Sequence, residues 1–218
     1  MSTKPSATAL PRRFYARPTL DVAVELVGKV LVHRGAEGVT AGVIVEVEAY
    51  IGEDDPACHA APGPTRRNEP LYGEPGYAYV YLNYGVHYLA NVVTEEKGRP
   101  AAVLLRALEP LDGIPVMQRR RSDARRRNTP IPTSALCRGP GNLARAMGIT
   151  LSHNRADLCG NELFIADRGI AVAEITWSPR VGISVGTDRH WRCSVVGSHA
   201  VSGRRREATI SSSGPTSG

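Results

Sequence analysis

The sequence predicts an α+β domain dominated by antiparallel sheet, with helices on one side. Three observations carry that class. Apolar, β-branched runs recur along the chain and are joined by short turns containing glycine or asparagine, as hairpins require. The helical stretches are few and short, and they carry recognisable stops. No linker and no internal repeat interrupts Arg12 to Val201, so a single domain is expected over residues 12–201.

The elements follow in order. Residues 1–11 are rich in Ser, Thr and Pro and are expected to be disordered. Thr19 to Val27 reads as a short helix, with Thr19 as N-cap and Gly28 as the stop. Lys29–His33 and Val39–Tyr50 form a hairpin across Arg34-Gly35-Ala36-Glu37-Gly38. Tyr77–Leu82 and Val86–Thr94 form a second hairpin across Asn83-Tyr84-Gly85, where Asn and Gly tolerate the positive φ of a tight turn. Ala101–Leu108 is a further strand. A helix is expected from Ile114 to Arg121, with Pro115 tolerated in its first turn. Pro140-Gly141-Asn142 precedes a short helix, Leu143 to Met147, stopped at Gly148. Leu163–Ala166, Ala171–Ile175 and Trp191–Val196 are expected strands. Residues 202–218, rich in Ser, Gly and Arg, read as a disordered tail.

Composition excludes several classes. The 218 residues are 42% hydrophobic and 22% charged, which is wrong for a wholly disordered chain. No apolar run approaches the ~18–20 residues of a membrane span. The first residues lead into no apolar segment of secretory type, so a cytoplasmic location is expected, nucleoid-associated if the source is bacterial. Cys58, Cys137, Cys159 and Cys193 show no C-x-x-C spacing, which argues against a zinc finger or redox pair and suits a reducing compartment. No metal or cofactor is expected.

The net charge is +6, and its distribution is more informative than its size. Arg119, Arg120, Arg121, Arg125, Arg126, Arg127, Arg138 and Arg145 lie between Met117 and Arg145, with Asp123 the one acid among them. A second triplet is Arg204-Arg205-Arg206. Acids gather elsewhere, at Glu46, Glu48, Glu53, Asp54 and Asp55. A phosphate-tracking face beside a carboxylate-bearing cleft has this polarity.

Three constellations carry chemistry. In Val45-Glu46-Val47-Glu48-Ala49-Tyr50, strand alternation puts Glu46, Glu48 and Tyr50 on one face and Val45, Val47 and Ala49 on the core face. The carboxylate face reads either as a solvated outer surface or as a general base beside an aromatic wall. Six of the eight tyrosines fall between Tyr72 and Tyr88. Tyr77, Tyr79 and Tyr81 share a strand face in this reading, as a packing ladder or as part of a site. Tyr84, at the hairpin tip, is a candidate wedge for a base stack. Arg106 interrupts an apolar strand and needs an anionic partner, Glu109 or another acid.

Taken together in order, these and other motifs resemble the alkyladenine (3-methyladenine) DNA glycosylase family of base-excision repair. The resemblance rests on Glu46-Val47-Glu48-Ala49-Tyr50, His59, Arg66-Arg67-Asn68, Tyr79-Val80-Tyr81-Leu82-Asn83-Tyr84-Gly85 and Asn91. It continues through Leu104-Leu105-Arg106-Ala107-Leu108-Glu109-Pro110, Gly139-Pro140-Gly141-Asn142-Leu143 and Arg180-Val181-Gly182-Ile183. It implies a mainly antiparallel, curved sheet with flanking helices and a protruding β-hairpin. It also implies an enzyme acting on double-stranded DNA that contains damaged purines, as a monomer and away from membranes.

Residue by residue, the resemblance makes Glu48 the general base for water, with Arg106 and the carbonyl of Val181 as the other water-positioning groups. Tyr50, His59 and Tyr81 would enclose the flipped base, and Asn91 would crowd the guanine 2-amino group. The backbone N–H of His59 would recognise the acceptor at purine position 6, and Tyr84 would fill the vacated stack. Arg66, Arg67 and Arg138 are assigned to the DNA backbone. The basic segment Arg119–Arg127, with Arg125 and Arg126, is more basic than a connection requires and reads either as a phosphate-binding loop or as a solvated helix end. Lys4, Lys29 and Lys97 are the complete set of lysines and fall in none of these motifs. Hydrolysis by water, rather than Schiff-base chemistry, is therefore expected. Val86 and His87, after the wedge, depart from the bulkier apolar or aromatic residues family members can carry there.

Overall fold

The computed structural model describes residues 8–122, 130–172 and 174–203. Among these, eight strands join in one curled, antiparallel sheet. They are β1 (Val30–Gly35), β2 (Gly38–Ile51), β3 (Ala78–Asn83), β4 (His87–Val93), β5 (Ala101–Asp112), β6 (Leu163–Ala166), β7 (Ile175–Ser178) and β8 (Arg192–Val195). The main path runs β3-β4-β5-β2-β1-β6. β2 is the hub: β5 pairs along one edge, while β1 takes the first half of the other edge and β8 the second half. β7 pairs in turn with β8.

The helices are α1 (Arg12–Tyr15), α2 (Thr19–Leu26), α3 (Ile114–Ser122), α4 (Thr133–Leu136) and α5 (Pro140–Met147). Leu26, Met117, Leu136, Leu143 and Met147 come from them into the main core, where they meet Ile44, Val47, Ala49 and Leu105. A second core on the other sheet face gathers Val30, Val32, Val43, Val45 and Phe164.

A pair of bulges at the hub strand breaks the alternation expected from the sequence. Ile44 pairs with Leu108 and Glu46 with Ala107, so Val45 is the extra residue on β2. Val47 then pairs with Leu105, leaving Arg106 extra on β5. A bulge re-aims side chains and changes which face a residue serves. Val45 accordingly joins the second core rather than sharing the main core with Val47 and Ala49. Further along, β5 continues through Pro110 to Asp112, past the expected end at Leu108, with another register shift opposite Ala41 and Gly42. Proline donates no hydrogen bond, and an irregular ladder tolerates it.

Other boundaries shift for local reasons. Thr19 is not an N-cap: Pro18 precedes the helix, and the Thr19 hydroxyl donates to Glu95 Oε1 at 2.7 Å. The first hairpin is tighter than expected, since Gly35 pairs directly with Gly38. In the second hairpin Tyr84 and Gly85, not Asn83, carry positive φ (48° and 70°), and Val86 N–H donates to Asn83 O at 3.1 Å. Two such residues in succession make a mirror-image turn of the hairpin type. The helix expected at Leu143 starts at Pro140, so the Gly-Pro-Gly-Asn motif supplies its first turn. Gly141 lies so close to β4 that a Cβ there would sit 2.8 Å from His87 Cγ. The strand expected at Ala171–Ile175 begins only at Ile175 and runs to Ser178, and Ala173 lies outside the described residues.

At the ends, Leu10 N–H donates to Ile165 O at 2.8 Å, and Ser202 is bonded to Glu46. Described structure therefore enters both terminal segments by a few residues. No helix among the described residues is long and apolar enough to cross a membrane.

Candidate active site

The bulged register brings two carboxylates and two guanidinium groups into the sheet. Glu46 and Glu48 are both fully buried. The solvated-surface reading of this face is thereby excluded, because unpaired charges are not tolerated there. Arg106 is the bridge: its Nε donates to Glu46 Oε1 at 2.8 Å and its Nη1 to Glu48 Oε2 at 3.1 Å. Glu109, the sequence neighbour named as one of the possible partners, is exposed and accepts from Ser198 Oγ. Burial works against the charge on Arg106, but Glu48 and Glu46 outweigh it and hold its pKa above the usual value.

The two carboxylates differ in their surroundings. Glu46 accepts from Arg106, from Arg192 Nε at 2.7 Å, from Ser202 N–H at 2.6 Å and from Ser202 Oγ at 2.8 Å. Burial alone would raise its pKa. Arg106 and Arg192 more than reverse that and hold it below the ordinary carboxylate value. Glu48 accepts from Val181 N–H at 2.7 Å through Oε1, and from the Tyr50 hydroxyl at 2.9 Å and Arg106 through Oε2. One lone pair of Oε1 is left over in this set. Glu46 is thus wrapped in donors, while Glu48 keeps an acceptor position to use. The Val181 group that reaches Glu48 is its amide N–H; the expectation had concerned its carbonyl.

Tyr50, Arg106 and Val181 line a cavity of about 350 Å³ together with His59, Tyr79, Tyr81, Tyr84 and Asn91. All the residues expected at the base pocket and wedge therefore meet at one place, with Glu48 held behind the wall by three of them. Tyr79 and Tyr81 lie in β3 with ring centroids 5.3 Å apart, and His59 packs edge-on to Tyr81 at 4.5 Å. Burial pushes both phenols up to about 12, so they remain protonated. Tyr77, expected on the same face, instead precedes the strand and carries the Arg12 guanidinium over its ring at 4.5 Å.

His59 sits in the loop after β2, with Nδ1 2.9 Å from the Tyr79 hydroxyl. Burial, with Arg67 nearby, lowers its pKa and keeps the ring neutral. Its carbonyl accepts from Asn68 Nδ2, which fixes the loop. Its N–H has no acceptor among the described residues. Asn91, in β4, donates to Tyr79 O at 3.0 Å, which sets its amide at the cavity wall.

Tyr84 projects from the hairpin tip with 88% of its surface exposed, and Val86 beside it is 68% exposed. Exposed aromatic and apolar side chains on a left-handed turn are costly, and such strain collects at functional positions.

The basic residues divide. Arg66 and Arg67 are exposed, and Arg67 lies 5.6 Å over the Tyr81 ring at the cavity. Arg138 is half-buried, and its Nη2 donates to the His199 carbonyl. Arg125 and Arg126 lie outside the described residues.

A larger cavity, about 630 Å³, is lined by His33, His87, Arg145 and His153 among others. His33, His153 and Glu162 place possible metal-ligating atoms within 4.8 Å of one another there. A hydrogen-bond chain already uses the ring nitrogens: Thr150 N–H meets His153 Nδ1, His153 Nε2 meets His33 Nε2, and His33 Nδ1 meets Met147 O. That chain needs no ion, and the carboxylate chemistry belongs to the smaller cavity.

Sequence reasoning left Arg192, Ser202, Arg180 and Asp55 without roles. Arg180 forms a fully buried pair with Asp55, at 2.5 and 2.8 Å, and places its guanidinium 4.6 Å over the Tyr50 ring. Burial would raise the Asp55 pKa, but the Arg180 hydrogen bonds hold it below the ordinary value. Arg192 carried the signal that had marked Arg106, a charge in an apolar strand. Nothing comparable pointed to Ser202.

Comparison with known proteins agrees with this geometry. Residues 13–199 match the family model described as methylpurine-DNA glycosylase. A protein of Chlorobium phaeobacteroides is 47% identical over 194 residues, covering 88% of this chain and 94% of its own length. One of Methanocella arvoryzae is 49% identical over 187 residues, covering 84% and 90%. Both bear the name "Putative 3-methyladenine DNA glycosylase". The chain belongs to the methylpurine-DNA glycosylase family of DNA-repair enzymes.

Proposed function

We propose that this protein is a monofunctional glycosylase for damaged purines in duplex DNA. It flips 3-methyladenine, 7-methylguanine, hypoxanthine and similar bases out of the helix, and it hydrolyses the N-glycosidic bond with a water activated by Glu48. The observation that carries this reading is the fully buried Glu48, held by Arg106, Tyr50 and Val181 at the wall of an aromatic cavity.

The groups divide the work. A flipped purine stacks on Tyr50, with His59 and Tyr81 completing the enclosure. Alkylated purines that carry positive charge are attracted by the ring faces, and the same charge makes them good leaving groups. Neutral lesions depend more on recognition at the His59 N–H, which is unoccupied by any other described acceptor. Asn91 crowds the 2-amino group of normal guanine. Water accepted at the open lone pair of Glu48 Oε1 loses its proton as the sugar carbon becomes oxocarbenium-like, and the carboxylate charge stabilises that carbon. Arg106 orients Glu48 through its Nη1.

Tyr84 occupies the gap in the stack, and Arg66, Arg67, Arg125, Arg126 and Arg138 are assigned to the phosphates. Lys29 is paired with Asp167 and Lys97 with Glu74, and neither lines the cavity. This supports release of an abasic site without strand nicking. The protein acts as a monomer, in the cytoplasm.

The test uses a duplex with one hypoxanthine or alkylated adenine. Abasic product is expected from wild type and not from Glu48→Gln. No product from wild type on any such lesion overturns the reading, and a nicked product absent in Lys97→Ala overturns the water mechanism.

A further inference from the structure

We propose that Asp55 sets the balance between positively charged and neutral lesions, by neutralising Arg180 behind the ring of Tyr50. The inference rests on the reading that the flipped base stacks on Tyr50.

The geometry is a layered one. Tyr50 lines the cavity, whereas Arg180 is buried and does not line it. We accordingly assign the Arg180 guanidinium, 4.6 Å from the Tyr50 ring centroid, to the ring face turned away from the cavity. It is held there by Ala49 O at 3.0 Å and by both oxygens of Asp55. Neither side chain of the pair has any solvent exposure.

A buried cation behind an aromatic ring has a consequence for what stacks in front. The ring presents negative density on both faces, and a cation on one face draws on the density available to a cation on the other. Two positive charges across one ring also repel, and low polarity inside the protein strengthens that repulsion. A bare Arg180 would penalise a positively charged purine and leave an uncharged one untouched. The Asp55 carboxylate removes most of this penalty by turning the cation into a hydrogen-bonded pair. Its own position is fixed by Ala57 N–H at 3.2 Å and Ile51 N–H at 3.4 Å. Arg189, the other cation near Asp55 at 3.6 Å, is part-exposed and screened by water.

The same pair also anchors the residue before Val181, whose N–H holds Glu48. A merely structural role for Asp55 would slow both kinds of lesion equally. The readout is therefore the ratio of single-turnover excision rates, 7-methylguanine over hypoxanthine, in matched duplexes. For Asp55→Asn the ratio is expected to fall roughly three- to tenfold, the span of a cation–π contact. In the double variant Asp55→Asn/Arg180→Gln, which removes both charges, it is expected to return to the wild-type value. Equal slowing of both lesions by Asp55→Asn overturns the proposal.

If Asp55→Asn does not fold, Arg180→Gln decides: a raised ratio supports the proposal, and an unchanged or lowered one overturns it. Tyr50→Leu separates this idea from the site reading beneath it. If Tyr50→Leu leaves the ratio unchanged, base stacking on Tyr50 fails and the proposal fails with it. If Tyr50→Leu lowers the ratio and Asp55→Asn does not, the proposal alone fails.

Discussion

Glu46 and Glu48 are two residues apart, equally buried and bridged by one arginine, so exchanging each for glutamine is an informative contrast. Glu46→Gln takes the charge from an acceptor that serves Arg106, Arg192 and Ser202, and leaves two guanidinium groups with one carboxylate. Breaking a buried pair from one side costs about 3–5 kcal/mol. For a domain of this size about 4 kcal/mol lowers Tm by roughly 8–16 °C. Glu48 keeps all three of its donors in that variant, so single-turnover excision measured well below the new Tm is expected within about tenfold of wild type. Glu48→Gln keeps the acceptor oxygen for Tyr50 and Arg106 but removes the base, and the rate is expected to fall about 10²–10⁴-fold with a smaller loss of Tm.

Acid adds a second signature to the same contrast. The folded pKa of Glu46 lies below its unfolded value of about 4.3, so its stabilisation is full above that pH and is lost as pH falls through the folded pKa. Glu46→Gln should flatten the pH dependence of Tm below about pH 4.3. Excision by folded Glu46→Gln as slow as that of Glu48→Gln would refute the division of roles.

Three other outcomes are expected. Tyr84→Gly relieves a left-handed tyrosine and should raise stability by about 1 kcal/mol, while lowering affinity for a lesion duplex roughly tenfold; urea unfolding and a binding titration check the two halves. Gly113→Ala would put a Cβ 2.2 Å from the Val39 carbonyl at a φ of +74°, and should destabilise by about 2–4 kcal/mol in the same unfolding assay. For His59, burial places the folded pKa below 6.5, so the folded state binds fewer protons and its contribution to stability falls as pH drops through 6.5; an imidazole NMR titration with a midpoint at or above 6.5 would contradict this.

Much of this was legible in the sequence because it was local. Strand periodicity and turn residues located both hairpins, and the motif series located Glu48, Tyr50, His59, Tyr81, Asn91 and Arg106, all of which the fold gathers at one cavity or behind its wall. What escaped was what long-range pairing decides. The bulges at Val45 and Arg106 arise from the register of β2 against β5, and neither residue announces them. Strict alternation therefore misplaced Val45, and sequence proximity could name only Glu109 among the acids open to Arg106, whose partners are Glu46 and Glu48. Ser202 was unreadable for another reason: its surroundings are compositionally those of a tail, and its importance comes from one buried acceptor 156 residues away. Asp55 and Arg180 are likewise 125 residues apart and find each other only in the folded chain.

The placement of β8 against β2 has a bearing on when the protein becomes competent during its synthesis. A growing chain that has emerged as far as β6 already contains Glu46, Glu48 and Arg106, but not Val181, Arg192 or Ser202. Its two carboxylates then have one guanidinium between them, and closing the sheet over them at that stage would trap unbalanced charge. The hub strand gains its partners on this edge only after residues 181–202 have been made, a separation in chain length that makes the closure non-local and late. On the proposed reading, an incompletely synthesised or clipped product ending before β8 would carry the Tyr84 hairpin but lack the Arg192 and Ser202 partners of the buried carboxylates, and is expected to bind DNA without excising a base.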